Sequence, residues 1–239
     1  HVEAGLRSYN RRMPEEINRV LTDHVSDVLF CPTTQSVENL RREGITDGTY
    51  AIGDVMFDAA LTAAARAGAE STILRTLGLT PRSFSVATVH RAENVDEPAA
   101  LEDVLRYLEA EARNQPVIFP VHPRTLAAID RLGLSTAPLR LCPPVGYLDM
   151  TQLVSNASVV FTDSGGLQKE AYFHRTPCVT LRSETEWVET VECGWNRLWR
   201  TPGYAPRRDI KDYGDGHAAA RVVQVLRERS GAARRVPTD

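Results

Sequence analysis

The chain has 239 residues and a formal net charge of −3, because 28 lysines and arginines are set against 31 aspartates and glutamates. This balance excludes a strongly basic protein that binds nucleic acid through its phosphates. A hydrophobic content of 42% with 25% charged residues is typical of a folded globular chain and not of a disordered one. No apolar run approaches the roughly 20 residues of a membrane helix, so we expect no membrane partner.

Strand-like and helix-like segments alternate along the chain, which predicts an α/β protein whose parallel sheet is covered by helices on both faces. The predicted strands, in chain order, are 25–31, 50–53, 84–89, 116–121, 139–142, 158–162 and 178–181. The predicted helices are 34–43, 55–67, 98–114, 125–132, 147–156, 166–173 and 217–229. The helix at 98–114 has the clearest pattern, since Leu101, Val104, Leu105 and Leu108 recur at helical spacing.

The stretch 68–83 is the best candidate for a domain boundary, because it combines glycines and a proline with polar neighbours. We therefore predict that residues 1–70 belong to one domain and residues 71–212 to a second. Residues 213–239 are expected to form a C-terminal helix and tail. The chain opens without an initiator Met, on a segment typical of a strand running into a loop. We expect a further segment to precede it.

The cysteines show neither C-x-x-C spacing nor the density of a disulfide framework. Two of them, Cys31 and Cys178, lie in or beside apolar strand-like segments. We therefore predict buried free thiols in a reducing cytoplasm. The four positions are Cys31, Cys142, Cys178 and Cys193.

The most informative stretch is TDSGGLQKE, from Thr162 to Glu170. A buried strand is predicted to end here, a hydroxyl and two glycines follow, and a helix begins. The glycines let a phosphate approach the backbone, towards which the N–H groups of the first helical turn point. Asp163 or Ser164 can cap the helix, and Glu170 can accept hydrogen bonds from a ribose diol. An ordinary capped turn is the alternative interpretation.

Two histidines, His90 and His122, each follow a predicted strand of the second domain. In open parallel sheets, ligands bind outside the carboxyl ends of the strands. With Arg91, Glu93 and Arg124 nearby, this placement suggests an anionic ligand. Each histidine taken alone is better explained as a residue that caps a loop. A metal site is not expected, because no cysteine or carboxylate cluster stands at ligand spacing with them.

A polar segment near the N-terminus surrounds Pro14, which suits the first turn of a helix. The adjacent Glu15 and Glu16 favour the positive end of that helix, so one of them is expected to be a surface cap. Paired carboxylates in a cleft would instead suit general acid–base chemistry. Charged residues of this segment include Glu3, Arg7, Glu15, Glu16 and Arg19.

A second charged stretch, from Arg182 to Glu189, follows the strand predicted at 178–181. It also lies at the carboxyl end of a strand, where a ligand can bind. The alternative is the charged start of a helix, with Trp187 packed on the core.

Together these motifs resemble the non-hydrolysing UDP-N-acetylglucosamine 2-epimerase family. Each motif is modest alone, but their order and spacing are specific, and the resemblance runs from the first residue to the last helix. The matching stretches are HVEAGLRS at 1–8, MPEEINR at 13–19, GDVMFDA at 53–59, TVHRAENVD at 88–96, VHPRT at 121–125, TDSGGLQKEAYFHRTPCVTLRSETEWVE at 162–189 and YGDGHAAARVV at 213–223.

The resemblance implies two Rossmann-like domains of the glycosyltransferase-B type, with the active site in the cleft between them. It also implies interconversion of UDP-GlcNAc and UDP-ManNAc without a metal or another cofactor. UDP leaves from C1 as the C2 proton is removed, and a 2-acetamidoglucal is then reprotonated on the other face. In the family, further strands and another catalytic Asp precede the HVEAGLR motif. The first domain is therefore expected to be incomplete in this chain. A cytoplasmic homodimer is expected.

The resemblance also implies roles for single residues. Glu3, in the HVEAGLR motif, and Glu15, in the PEE motif, match catalytic carboxylates of the family. His90 matches its functional histidine. These three residues are the predicted acid–base set.

Six further residues match positions at which the family binds the nucleotide. Glu170 matches the carboxylate that binds the ribose, and Arg182 matches an arginine near the nucleotide. His122 matches a residue close to the uridine-phosphate site. The predicted diphosphate-binding turn consists of Ser164, Gly165 and Gly166.

Several other functions share these motifs. A related epimerase could act on a UDP-2,3-diacetamido sugar or its uronic acid, and a hydrolysing relative would release free ManNAc. A glycosyltransferase with the same two-domain architecture would leave Glu3 and Glu15 unexplained. The chain by itself could also bind UDP without turnover. Fold analogy cannot choose among these functions.

Overall fold

The computed structural model describes residues 1–233 and divides the chain into two compact units. Unit 1 consists of residues 1–61 together with the residues from Ile210 onward, and unit 2 consists of residues 62–209. Of the tail expected at 230–239, residues 234–239 lie outside the described residues. The predicted boundary near residue 70 stays a prediction. Among residues 1–233, no helix has both the length and the apolar character needed to cross a membrane.

Short parallel strands and longer helices alternate along the chain. The strands are β1 (Leu29–Cys31), β2 (Thr49–Ala51), β3 (Ser85–Thr88), β4 (Val117–Pro120), β5 (Arg140–Cys142), β6 (Val160–Thr162), β7 (Cys178–Thr180) and β8 (Asn196–Leu198). The helices are α1 (Pro14–Val25), α2 (Thr34–Arg42), α3 (Val55–Glu70), α4 (Ile73–Thr76), α5 (Ala92–Val95), α6 (Pro98–Ala112), α7 (Pro123–Leu132), α8 (Tyr147–Asn156), α9 (Gly165–Phe173), α10 (Val188–Glu192) and α11 (Ala218–Ala233).

Unit 1 is built on the parallel pair β1–β2, which the N-terminal segment extends through a parallel bridge between Val2 and Phe30. One face of this sheet packs on α11, where Phe30, Ile52 and Ala218 form a buried cluster. The opposite face packs on α2 through Leu40. The bridge places the carboxyl end of the first segment, including Glu3, beside the end of β1.

Unit 2 contains six parallel strands in the order β5-β4-β3-β6-β7-β8. This is the strand order of a doubly wound Rossmann sheet, in which the winding reverses between the first and fourth strands. In this chain the reversal lies between β3 and β6, which pair in register through Thr88 and Thr162. A crevice at the carboxyl ends of these two strands is where such sheets bind ligands.

Helix α6 confirms the clearest helical pattern in the sequence. Leu101, Val104, Leu105 and Leu108 are all buried, at 0–2% exposure, in the core cluster that covers one face of the sheet. The opposite face is covered by a second cluster that includes Phe84, Ile118 and Leu153. The sheet is therefore buried on both faces, as parallel sheets are.

Three predicted details differ from the structure. The strand predicted from residue 25 begins at Leu29, because α1 continues to Val25, which is 82% exposed. Strand β8 was not predicted, because it begins with the polar residue Asn196. The side chain of Asn196 is buried and forms hydrogen bonds with Thr180 and Gln168. The tail predicted from residue 230 begins later, because α11 continues to Ala233.

The prediction of free thiols is confirmed for all four cysteines. Cys31, Cys178 and Cys193 are buried, whereas Cys142 is half-buried. Burial raises the pKa of the Cys31 thiol to about 11, and it raises the pKa of Cys178 further. These thiols therefore stay protonated near neutral pH and are weak nucleophiles.

Candidate functional site

Four predicted binding segments of unit 2 lie at the carboxyl ends of adjacent strands. His90 follows β3, His122 follows β4, Ser164 follows β6 and Arg182 follows β7, each two residues after its strand ends. Because β3 and β6 flank the reversal of the sheet, His90 and Ser164 stand at the crevice. The fold thus brings these sequence-distant segments to one edge of unit 2.

The turn between β6 and α9 is held in place by threonines and capped by Ser164. The Ser164 Oγ accepts from the Leu167 N–H at 3.5 Å, and the Ser164 N–H donates to Thr162 Oγ1 at 2.9 Å. Thr162 Oγ1 in turn lies 2.7 Å from Thr88 Oγ1 on β3. Ser164, one of the two residues predicted as a cap, therefore fixes the first turn of α9. The N–H groups of such a turn form an anion-binding site.

Glycine is required at the first position of α9. A Cβ on Gly165 would lie 2.3 Å from Glu186 Oε1 and 3.3 Å from Trp187 Nε1. The carboxylate of Glu186 therefore packs directly against the first turn of the helix. Its side chain is 6% exposed and accepts from Arg182 NH1 at 2.9 Å, so it has little freedom to move aside.

We expect Gly165→Ala to destabilise unit 2 by about 1–3 kcal/mol, the usual cost of overpacking. The added methyl group must displace Glu186 and thereby disturb its ion pair with Arg182. Thermal unfolding should show a fall of about 2–4 °C in Tm for each kcal/mol. In a Glu186→Ala background, Gly165→Ala should cost less than it does in the wild type, because the clashing group is absent. An unchanged Tm for Gly165→Ala would contradict the assigned contact.

Asp163 is a central residue of the site whose role sequence analysis missed. Its carboxylate is fully buried and accepts from the backbone N–H groups of His90 (3.0 Å) and Arg91 (2.9 Å). It also accepts from Asn94 Nδ2 at 3.1 Å. The same amide donates to the carbonyl of Leu181, after β7. Asp163 thus ties the His90 loop to the end of β6. A charged residue directly after a buried apolar strand is the signal that could have identified it.

Arg182 is a buried cation held between two carboxylates. Its Nε donates to Glu93 Oε1 at 3.0 Å, and its NH1 donates to Glu186 Oε2 at 2.9 Å. Burial lowers the pKa of Arg182, but the charges and hydrogen bonds of Glu186 and Glu93 outweigh this effect and raise it. The Glu93 side chain is 55% exposed, whereas that of Glu186 is 6% exposed. Glu93 is therefore the partner more easily exchanged for a ligand.

The packing of Trp187 on the core, which belonged to the alternative interpretation of the stretch from Arg182 to Glu189, is observed. The side chain is 5% exposed, and the fully buried Lys169 places its Nζ 4.0 Å from the ring centroid. Such a desolvated cation–π contact stabilises both groups. It braces the loop after β7 against α9.

Glu170 lies in the second turn of α9, and its half-buried carboxyl group interacts with Tyr147 at the start of α8. Burial raises the pKa of Glu170, and the Tyr147 hydrogen bond and the Lys169 charge offset only part of this effect. The ionised carboxylate is therefore held in the folded state at a cost in stability. A group kept at such a cost suits a functional role.

We expect Glu170→Gln to raise the Tm at pH 8 and to raise it less as the pH falls. The folded state binds the Glu170 proton more tightly than the unfolded state does, so ionisation at high pH destabilises the fold. Below the unfolded-state pKa, Glu170 is protonated in both the folded and the unfolded state, and the destabilisation caused by its ionisation vanishes. Melting curves of both proteins between pH 4 and pH 8 provide the measurement. A gain in Tm that is independent of pH would contradict this account.

His122 serves as the N-cap of α7, because its Nδ1 accepts from the Arg124 N–H at 3.2 Å. The side chain is exposed, and Arg124 itself pairs with Asp96. The capping interpretation offered for this histidine is thus observed. The predicted contact between the exposed edge of the His122 ring and the nucleotide stays a prediction.

In unit 1, Glu3 has a backbone conformation that is rare for a side-chain-bearing residue. Its φ is +68°, in the left-handed region. Such residues persist only where neighbours impose them, and they cluster at functional sites. Two residues further on, Gly5 packs so closely against the backbone of Ser36 that no side chain fits, since a Cβ there would lie 2.2 Å from the Ser36 carbonyl oxygen.

The adjacent glutamates of the PEE motif have different environments. Glu16 is 3% exposed, and its carboxylate accepts from the backbone N–H groups of Ser8 and Tyr9, both at 2.9 Å. It also pairs with Arg19 at 2.9 Å. Glu15, in the first turn of α1, is exposed. Glu16 therefore braces the loop before α1, and Glu15 presents its carboxylate to the exterior of unit 1.

A buried ionic cluster, unrecognised in the sequence, holds the HVEAGLR segment. Arg7 donates to Asp23 Oδ2 at 2.7 Å and forms two hydrogen bonds of 2.7 Å with Glu43. Asp23 also accepts from the Gly5 N–H at 3.0 Å and contacts His1 Nδ1 at 2.5 Å. Burial lowers the pKa of Arg7, but both carboxylates more than reverse this, so it is raised. The cluster fixes the loop that follows Glu3.

Within residues 1–233, no group of three or more His, Cys, Asp or Glu side chains is arranged to hold a metal ion. The expectation that no metal or other cofactor is needed stays a prediction.

Comparison with known proteins places these features in a family. A family model described as UDP-N-acetylglucosamine 2-epimerase matches residues 1–227. A UDP-N-acetylglucosamine 2-epimerase homolog of Methanococcus maripaludis is 45% identical over 245 residues, covering 95% of this chain and 68% of that protein. The UDP-2,3-diacetamido-2,3-dideoxy-D-glucuronate 2-epimerase of Pseudomonas aeruginosa is 46% identical, covering 95% of this chain and 67% of that protein.

The structure also superimposes on the UDP-GlcNAc 2-epimerase of Methanocaldococcus jannaschii, solved in complex with UDP-GlcNAc and UDP. The TM-score is 0.84 at 36% identity, over 95% of this chain and 68% of that one. This agreement confirms the predicted α/β fold class with Rossmann-like domains of the glycosyltransferase-B type. The resemblance seen in the motifs is likewise confirmed: the chain belongs to the UDP-N-acetylglucosamine 2-epimerase family.

Proposed function

We propose that the protein is a UDP-N-acetylglucosamine 2-epimerase that interconverts UDP-GlcNAc and UDP-ManNAc. The observation that carries this proposal is the capped Ser164–Gly166 turn, at the reversal of the unit 2 sheet, in a chain whose relatives are epimerases. The turn offers backbone N–H groups to an anion. A nucleoside diphosphate sugar is the ligand that suits this turn together with its neighbouring carboxylate and cation.

The nucleotide is assigned to unit 2. The diphosphate lies on the first turn of α9, where Ser164, Gly165 and Gly166 meet it, and Arg182 supplies a permanent positive charge beside that turn. Glu170 accepts hydrogen bonds from the ribose diol, which has two donors for one carboxylate. His122 presents its exposed edge near the uridine phosphate.

The reaction requires proton transfer at C2 and departure of UDP from C1. Glu3, Glu15 and His90 are the proposed acid–base set, because two-sided proton transfer needs groups on both faces of the sugar ring. Arg182 and the N–H groups of α9 stabilise the negative charge that develops on the departing diphosphate. These groups can supply that stabilisation without a metal ion. The same UDP then adds back after reprotonation on the opposite face.

One specific observation supports an alternative substrate. The relative from Pseudomonas aeruginosa, at 46% identity, is named for a diacetamido uronate. A UDP-2,3-diacetamido-sugar or its uronate therefore remains the alternative substrate on the same site. Assays with both UDP-sugars distinguish the two, and the preferred substrate is the one with the larger kcat/KM.

The proposal also includes a cytoplasmic location and a homodimer. The four free thiols support a reducing compartment, where such thiols persist. UDP-sugars with a 2-acetamido group are precursors for surface polysaccharides, and that is the proposed use of the product.

Calorimetric titration with UDP and with pyrophosphate tests the nucleotide assignment. We expect Glu170→Gln to weaken UDP binding about 10-fold, the loss of one hydrogen bond to a charged group, and to leave pyrophosphate binding unchanged. The matched control is Glu102→Gln on α6, whose exposed side chain lies outside the site. Equal losses for UDP and pyrophosphate would contradict the ribose role. Absence of UDP binding at millimolar concentration would contradict the assignment as a whole.

A further inference from the structure

The imidazole of His90 stands between the buried carboxylate of Asp163 and the exterior of unit 2. Its Nδ1 lies 3.3 Å from Asp163 Oδ1, and its side chain is 42% exposed. One ring nitrogen therefore lies close to a fully buried acid, and the ring as a whole remains open to a ligand. The in-register pairing of β3 with β6, Thr88 opposite Thr162, produces this arrangement, because it puts the residues after both strands side by side.

We propose that Asp163 is a positioning residue that fixes the tautomer of His90, and this inference rests on the proposed role of His90 in proton transfer. An ionised carboxylate has only acceptor sites, so a nitrogen that makes a hydrogen bond to it must carry the proton. His90 is thereby held as the Nδ1–H tautomer, with the lone pair of Nε2 available to the substrate. A histidine whose second nitrogen is oriented by an acid is a recurring acid–base device.

The other contacts of Asp163 offset the cost of burying its carboxylate. The backbone N–H groups of His90 and Arg91 and the Asn94 amide all donate to it, at 2.9–3.1 Å for the shortest contact of each. Charge-assisted hydrogen bonds of this kind compensate a buried carboxylate. Two of the donors are backbone groups beside the imidazole, so the carboxylate fixes the position of the ring as well as its proton.

A purely structural role for Asp163 is the competing explanation, because the same contacts brace the His90 loop and the start of α5. Asp163→Asn separates the two roles. Its amide oxygen still accepts from the backbone, but its NH₂ group donates to Nδ1 and favours the Nε2–H tautomer. Asn94→Ala is the matched control, since it removes two braces of this loop, to Asp163 and to Leu181, and leaves the carboxylate facing His90.

The tautomer is read by ¹H–¹⁵N NMR of the histidine-labelled chain at pH 8.5, where ordinary histidines are neutral. The His90 signal is identified by its absence in His90→Gln. We expect the Nδ1–H tautomer in the wild type and in Asn94→Ala, and the Nε2–H tautomer in Asp163→Asn. An Nε2–H tautomer in the wild type would overturn the inference, whether or not Asp163→Asn folds.

Turnover of the complete gene product separates this inference from the proposed function. We expect His90→Gln to lower kcat roughly 10²–10⁴-fold and Asp163→Asn to lower it within the same range, with UDP affinity changed less than about twofold. The double variant should be no worse than His90→Gln, because both act through one group. Normal kcat in His90→Gln would refute the proposed role of His90. A normal kcat in Asp163→Asn beside an impaired His90→Gln would refute only the positioning role.

Discussion

Glu15→Gln in the complete gene product is expected to lower kcat by roughly 10²–10⁴-fold while UDP affinity and Tm stay nearly unchanged. The substitution keeps the size and polarity of the side chain but removes the proton that general acid–base catalysis transfers. Glu15 is exposed in the first turn of α1, where loss of one carboxylate typically costs only about 0.3–1 kcal/mol of stability. Steady-state kinetics, UDP titration and thermal melting together provide the measurement.

The neighbouring residue supplies the control for this prediction. Glu16→Gln weakens two backbone hydrogen bonds and the Arg19 ion pair in a buried setting, so it should lower Tm. Its direct effect on the chemical step is expected to be small. The reversed pattern, with Glu15→Gln lowering Tm and sparing kcat, would mean that Glu15 is a helix cap. Glu3→Gln should resemble Glu15→Gln, since Glu3 belongs to the same proposed acid–base set.

Arg7→Ala is expected to destabilise unit 1 by about 3–5 kcal/mol, the usual result of breaking a buried ion pair by removing one partner. The substitution removes the guanidinium from the fully buried carboxylate of Asp23 and from Glu43. Arg7→Lys should restore only part of the stability, because an ammonium cannot reproduce the two-pronged contact with Glu43. Thermal melting, with hydrogen exchange in β1 as the local probe, reports the effect.

Arg41→Ala is the control for Arg7→Ala within the same unit. Arg41 also makes two hydrogen bonds to a glutamate, Glu38, but the pair is exposed on α2. Exposed pairs contribute little because water and salt screen them. Equal Tm losses in the two variants would contradict the claim that the Arg7 cluster owes its importance to burial.

The sequence predicts the elements of unit 2 well and their arrangement poorly. Helical spacing at Leu101, Val104, Leu105 and Leu108 is a local pattern, and all four residues are buried as expected. The order of the strands depends on pairings between segments far apart in the chain, such as Thr88 with Thr162. Local patterns carry no information on those pairings. For the same reason β8, with its buried Asn196, escaped prediction.

The candidate site was likewise predictable only in its local motifs and not in its tertiary contacts. Motifs located Ser164 and Arg182 at the ends of strands, and the structure places them there. The partners of these residues could not be predicted, because Asp163 beneath His90 and Glu186 against Gly165 depend on tertiary contacts. The different environments of Glu15 and Glu16 likewise depend on a tertiary contact, because the backbone N–H groups of Ser8 and Tyr9 donate to the carboxylate of Glu16.

Epimerisation in D₂O tests the central claim most directly. The complete gene product is incubated with UDP-GlcNAc, and ¹H NMR follows the C2 position and the appearance of UDP-ManNAc. Removal of the C2 proton and its replacement from solvent predict that UDP-ManNAc forms and that it carries deuterium at C2. Formation of UDP-ManNAc that retains its original C2 hydrogen would contradict the mechanism. Failure to form an epimer or to exchange the C2 proton, with UDP-GlcNAc and with the diacetamido uronate alike, would contradict the proposed function.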